Sequence, residues 1–378
     1  MTDSDDRRPL PPRDAGPGRS AASRSREQAA SPAERPPSYP SAGARRDLVH
    51  PAFAVREEGY ARCTDDNARL RFLTGYAVMA PSVLNTQPWR FRMRGGELEL
   101  IASRDRTLQR LDPDARQLTI SCGAALFNLR VAAHHFGRGV RVDLLPDAAD
   151  PDVLARAALG GAGTPDPTWE RLFAAIPERR SNRGPLAPEP VTEETLAEVQ
   201  AAAEAEGVRL LTYTDPAEKR MLGRLTASAY AEQIADEAVQ QEVREWLRPM
   251  RAPDQDGVPD AAQGEWDRRS YLDPNPRSAD IRGRVVSSAP AVLVLSSEAD
   301  GPRDWMRTGQ ALQRVLLLST ARGLAASYLN AALEVGRYRR EVSRLTGGNP
   351  QVLFRLGRPE TPSVDAPRRP PVDVFYRP

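Results

Sequence analysis

The chain has 378 residues, 40% of them hydrophobic and 28% charged, with a formal net charge of +2. That length admits two core-forming domains; the near-neutral balance excludes a global field for steering nucleic acid, and no apolar run of about 18 residues is present to span a bilayer. Two cysteines, Cys63 and Cys122, and three histidines, His50, His134 and His135, make neither a disulfide framework nor a metal cluster, and they suit a reducing cytosol.

Residues 1–48 are rich in Pro, Arg, Ser, Asp, Ala and Gly and almost without large apolar side chains. Such a segment cannot bury enough surface to offset its ordering entropy, so a disordered tail is expected. The pair Arg7 and Arg8 has no hydrophobic segment behind it, which fails as an export signal and leaves a cytoplasmic protein as the expectation. Order is expected from "DLVHPAFAV" onward. In 65–80, Asp65 and Asp66 precede helically spaced apolar residues, the pattern of an N-capped helix. Residues 89–103 alternate apolar with polar around Gly95 and Gly96, which predicts a β-hairpin. A long apolar helix is expected at 118–137 and a strand at 140–146.

The proline- and glycine-rich passage 146–169 then reads as a separator. Beyond it, 171–207 reads as helix, loop and helix, the second opened by the capping-box pattern "VTEET". Residues 289–297 read as a buried strand, 306–327 as a long apolar helix and 350–357 as a late strand. Shifting the first long helix by 186 positions places Gly123 on Gly309, Ala125 on Ala311, Leu126 on Leu312 and Gly137 on Gly323. With the same element order around each helix, two related α+β halves, 49–168 and 169–378, are expected to form an intramolecular pseudo-dimer. Inside the second half, 244–283 is long, polar and proline-rich yet holds Trp246, Trp266 and Tyr271. That combination reads as a lid over a pocket.

Two short segments carry chemistry. "ERRSNRG" (178–184) puts Arg179, Arg180, Ser181 and Arg183 just after a helix. Three guanidiniums and a hydroxyl suit a dianionic phosphate, although the same residues also describe a solvated basic turn. A second basic pair, Arg368 and Arg369 in "APRRPP", either closes on that phosphate or is an arginine-rich tail. "PSVLNTQPW" (81–89) holds Pro81, Ser82, Asn85 and Gln87 ahead of Trp89. Its amides match the alternating edge of a planar heterocycle; the alternative is a proline-bounded turn whose amides cap neighbouring backbone.

Together these residues resemble the nitroreductase superfamily of FMN enzymes, and more closely its fused, Acg-like branch. "APSVLNTQPWRF" is similar to the family's Pro-Ser-x-x-Asn-x-Gln-Pro-Trp segment, "RRSNR" to its Arg-x-Ser-x-Arg phosphate motif, and "GQAL…LLLSTARGLAASYLN" with "LFRLGRP…RRP" to its C-terminal half. The resemblance covers roughly residues 49–378. It implies an α+β nitroreductase-like fold with FMN bound by Pro81, Ser82, Asn85, Gln87, Arg179, Arg180, Ser181, Arg183, Arg368 and Arg369, and with Asn330 of "SYLNAAL" beside the flavin face. It further implies hydride arriving at flavin N5 from NADH or NADPH and leaving to a small-molecule acceptor, a nitroaromatic or quinone. Each motif occurs once, since 49–80 holds no Arg-x-Ser-x-Arg and the region around 268 reads "WDRRSYLDPNP". One composite site per chain is therefore expected, in a monomer without metal, nucleic-acid or membrane partners. A flavin-sequestering protein and a biosynthetic flavin dehydrogenase are the alternatives.

Overall fold

The computed structural model describes residues 55, 57–163, 166–248, 255–259 and 276–376. The expected tail, Trp266 and Tyr271 lie outside the described residues. The fold mixes helices with two four-stranded antiparallel sheets.

The first sheet is built from β1 (Trp89–Arg94), β2 (Glu97–Ala102), β3 (Arg138–Leu144) and β4 (Val153–Ala162), in the order β1-β2-β4-β3. The turn between β1 and β2 takes Gly95 and Gly96 at φ +59 and +84, which the paired register of Arg94 with Glu97 requires. Helices α1 (Glu58–Ala61), α2 (Asp66–Ala77) and α3 (Arg116–His135) accompany this sheet. Asp65 caps α2 as expected, accepting the Ala68 amide at 2.8 Å.

The second sheet takes β5 (Arg209–Tyr213), β8 (Ala291–Ser297), β9 (Ala325–Tyr328) and β10 (Asn349–Gly357), in the order β5-β8-β10-β9. In both sheets the third strand in sequence therefore pairs outside the fourth. A parallel pair of two residues each, β6 (Leu247–Arg248) and β7 (Val258–Pro259), stands apart. Around them run α4 (Pro167–Ala175), α5 (Glu193–Glu204), α6 (Pro216–Ala235), α7 (Glu237–Glu245), α8 (Pro276–Ser287), α9 (Pro302–Ala321), α10 (Ala331–Glu334), α11 (Gly336–Thr346) and α12 (Pro371–Val374). Among the described residues no helix is long and apolar enough to cross a membrane.

Two expectations need correcting. The separator 146–169 contains β4, a ten-residue strand between β2 and β3. Its Ala- and Gly-rich sequence has weak strand propensity, and pairing on both sides with burial of Val153, Leu154 and Ala155 decides its state. The helix expected over 306–327 stops at Ala321. Gly323, at φ +72, lets its own amide reach Thr320 O and the Leu324 amide reach Ser319 O, both at 2.9 Å. That closes the helix, and the chain then pairs with β10 as β9.

Two of the 20-residue helices, α3 and α9, cross at the centre of the main core. At that crossing Gln313 Nε2 donates to Asn128 Oδ1 at 2.6 Å, and Asn128 Nδ2 donates to Tyr76 O at 3.0 Å. After β10 the chain runs back across the molecule as a strap. It ends with Phe375 bridged to Phe91 of β1 and the Tyr376 amide donating to Phe91 O at 2.9 Å. This strap carries Arg368 and Arg369 to the loop 81–89.

Candidate functional site

The loop 81–89 joins α2 to β1 and is held in costly backbone conformations. Leu84, Asn85 and Gln87 take φ of 44, 55 and 48, in the left-handed region that non-glycine residues avoid. The surroundings hold it there. Ser82 Oγ accepts the Gln87 amide at 2.9 Å, and Arg106 Nη1 donates to Thr86 O at 2.7 Å. Trp89 is fully buried beneath.

The two amide side chains are engaged by protein. Asn85 Nδ2 donates to Gly257 O at 2.9 Å and Pro367 O at 3.0 Å, while its Oδ1 accepts from Arg368 Nη1 at 3.0 Å. Gln87 Nε2 donates to Gln255 O at 2.8 Å, and its Oε1 accepts the Arg369 amide at 2.8 Å. These bonds tie the strap and segment 255–259 to the loop, in the manner of the amide-capped turn rather than of an open heterocycle edge.

Directly after α4, Arg179, Arg180, Ser181 and Arg183 meet Pro81, Ser82, Asn85 and Arg368 around a small pocket. The two motifs, about a hundred residues apart in sequence, thus share one wall. Arg179 is 4% exposed and its Nε has no hydrogen-bond partner among the described residues. Burial pulls its pKa down to about 10, with the nearby Tyr328 opposing and Arg180 assisting. Burial, then the charges of Arg179 and Arg180, hold Arg368 well below its ordinary value. The burial and mutual repulsion of these converging cations are what a bound anion would relieve. Arg180 is partly spent on Asp365. Gln87 and Arg369 do not line this pocket; the Arg369 guanidinium donates to Asp373 O at 2.7 Å.

A larger cavity, open to solvent and about 1230 Å³, adjoins the pocket through Pro81, Ser82, Ser181 and Arg183. Ile120 and Leu312 of the crossing helices form its floor, and Tyr328, Leu329 and Asn330 one side. Its outer wall comes from α6 and α7, through Thr226, Tyr230, Gln240 and Val243. Burial pushes the Tyr328 hydroxyl up to about 12, against the pull of Arg179, Arg183 and Arg368. Sequence reasoning found Asn330 but missed Gln117, Gln233, Tyr328 and Glu334, all of which face this space. Each is a single polar residue in an otherwise ordinary segment, and only tertiary convergence marks it.

Of the expected lid, the described part is fastened to the loop. The guanidiniums of Arg106 and Arg248 each lie 5.7 Å from the Trp246 ring. Asp256 bridges both arginines, at 2.8 Å and 3.1 Å. Val258 of this segment lines the arginine pocket. Among the described residues no group of His, Cys, Asp and Glu could hold a metal ion.

A family model described as the nitroreductase family matches residues 176–358. A Mycobacterium tuberculosis protein carrying an NAD(P)H nitroreductase name, Rv3131, is 34% identical over 309 residues, spanning 77% of this chain and 86% of its own. The acg protein of the same organism, with the same kind of name, is 29% identical over 79% of this chain and 93% of its own. Among crystal structures, the FMN-dependent nitroreductase NfnB of Mycobacterium smegmatis in complex with NADPH aligns at 21% identity. That alignment covers 53% of this chain and 94% of NfnB with a TM-score of 0.37.

Proposed function

The chain belongs to the nitroreductase family, and we propose that it is an FMN-dependent NAD(P)H oxidoreductase acting on nitroaromatic or quinone acceptors. The observation that supports this most is the continuity of the arginine pocket with the larger cavity through Pro81, Ser82, Ser181 and Arg183. The residues present fit FMN: a buried Arg179 whose Nε lacks a partner, together with Arg183, Arg368 and the Ser181 hydroxyl, forms a donor set for a phosphate. The apolar floor of Ile120 and Leu312 suits a flat ring beyond it. Bound there, FMN supplies two-electron transfer between a nicotinamide and an acceptor, and the protein supplies position, charge and shape.

Under this reading Arg179, Arg183 and Arg368 hold the phosphate, and Pro81, Ser82 and Asn330 border the ring. Asn85 and Gln87 act one layer out by holding the strap and segment 255–259 in place. With the halves divided at 168/169, the loop 81–89 comes from the first and the arginine motif from the second. One chain therefore completes one site without a second copy. Anaerobic titration of the FMN-loaded protein with NADPH tests the reading: one acid-released FMN per chain and full bleaching of the flavin are expected. A chain that binds no FMN, or holds flavin that NADPH does not reduce, overturns it.

A further inference from the structure

Glu334 closes α10 and faces the larger cavity. Gln117 Nε2 donates to its Oε1 at 3.1 Å and Gln233 Nε2 to its Oε2 at 2.7 Å. The direction of this network is fixed from one end. The Leu353 amide can only donate, and it donates to Asn330 Oδ1 at 2.9 Å. Asn330 Nδ2 therefore points at Gln117 Oε1, 3.0 Å away, which turns the Gln117 amide nitrogen toward Glu334.

The charged neighbours are engaged elsewhere. Arg116 Nη1 is bound to Gln351 O and its Nη2 donates to Leu333 O at 3.3 Å. Asp112 accepts the amides of Gln117 and Leu118 at the start of α3, at 3.0 Å and 2.8 Å. Across the cavity stand Tyr230 of α6 and Arg282 of α8, whose guanidinium lies 4.9 Å from the Tyr230 ring. Glu334 is thus a cavity-facing carboxyl without a salt bridge among the described residues. Burial raises its pKa; the two glutamine bonds and Arg116 oppose the rise, and Asp112 adds to it.

We propose that Glu334 is the proton donor to the acceptor. The inference rests on the oxidoreductase reading above. Reduction of a quinone to its hydroquinone consumes one hydride and one proton. The hydride comes from the reduced cofactor of that reading. The proton leaves the Glu334 O–H bond and forms the new hydroxyl on the quinone oxygen. Glu334 remains as a carboxylate, which the amide nitrogens of Gln117 and Gln233 stabilise, and solvent entering the cavity mouth protonates it again. The glutamines thereby keep both charge states in one position, as a group that cycles requires.

Two measurements on the full-length, FMN-loaded protein test this against Glu334→Gln. The first is the infrared difference spectrum of wild type minus variant, recorded from acid to neutral pH, which does not depend on turnover. A protonated-carboxyl band is expected; its absence overturns the proposal. The second is stopped-flow kinetics of the separate half-reactions. Glu334→Gln is expected to slow reoxidation by benzoquinone by about 10²-fold or more, the scale of general acid catalysis, and to alter reduction by NADPH less than about twofold. Wild-type reoxidation should fall as pH rises through the Glu334 titration and the variant should stay flat. Equal reoxidation in the two proteins, or equal slowing of both half-reactions, overturns the proposal alone. Wild-type flavin that NADPH does not reduce overturns the oxidoreductase reading and the proposal with it.

Discussion

Gly123 and Gly309 touch at the crossing of α3 and α9. A methyl group built on Gly123 would lie 2.3 Å from Met306 O, and one on Gly309 would lie 2.0 Å from Ile120 O. The same offset of 186 residues relates Gly123 to Gly309 and Ile120 to Met306. Each glycine therefore meets the counterpart of the residue that meets the other, the reciprocity of a two-fold interface. Together with two sheets of one strand order, this reciprocity supports the proposal that the chain is an intramolecular pseudo-dimer. The candidate site opens beside this seam, floored by Ile120 and Leu312.

Replacing Gly309 by Ala forces the two backbones apart, because carbonyl oxygens and amides cannot turn away as side chains do. A loss of about 1–3 kcal/mol is expected from overpacking, read from urea unfolding. Gly161→Ala is the control, since a methyl there meets nothing within 4 Å, and it should stay within about 0.5 kcal/mol of wild type. Equal stability of all three proteins would show that the crossing tolerates separation.

What was legible in the sequence follows from where its signals lie. The Asp65 cap, the Gly95-Gly96 hairpin and the apolar periods of α3 and α9 are local, and the elements formed where they pointed. Strands β4 and β9 were misread because their state is decided by partners, β2 and β3 in one case and β10 in the other. The arginine motif and the loop 81–89 were each visible as compact clusters. Their meeting with Arg368 depends on the path of the strap, which no spacing encodes. Gln117, Gln233 and Glu334 arrive from α3, α6 and α10, and no pattern within any one helix distinguishes them.

Arg179 poses a conflict between stability and binding. A buried guanidinium whose Nε lacks a partner costs the empty protein desolvation energy, whereas a phosphate would repay it. Arg179→Met is therefore expected to leave the melting temperature of the flavin-free protein unchanged or raised. The same change should weaken FMN binding by about 1–3 kcal/mol. Riboflavin, which lacks the phosphate, should bind both proteins alike in titration calorimetry. Arg369→Ala should weaken FMN less than Arg179→Met does, since its guanidinium faces Asp373 O outside the pocket. Equal loss of riboflavin and FMN would make Arg179 a structural residue.

Asp256 offers a way to loosen the fastening of segment 255–259 without touching the pocket. Its carboxylate joins Arg106 to Arg248 around Trp246, and Arg106 also holds Thr86 O. Backbone and amide bonds act in parallel: the Gly257 amide donates to Asn85 O at 3.2 Å, and Asn85 and Gln87 donate to Gly257 O and Gln255 O. The side chains of both pairs are only 16–20% exposed, and the parallel backbone and amide bonds should keep the chain folded when the pairs are lost. Asp256→Ala is expected to speed amide hydrogen exchange at Gly257 and Val258 by roughly three- to tenfold, the equivalent of about 0.6–1.4 kcal/mol. The amides of Ala291–Ser297 in the core sheet should be unaffected. FMN should then dissociate faster, because Val258 lines the pocket that opens. Unchanged exchange at Gly257 would assign the fastening to Asn85 and Gln87 alone, and Gln87→Ala should then reproduce the loosening that Asp256→Ala lacks.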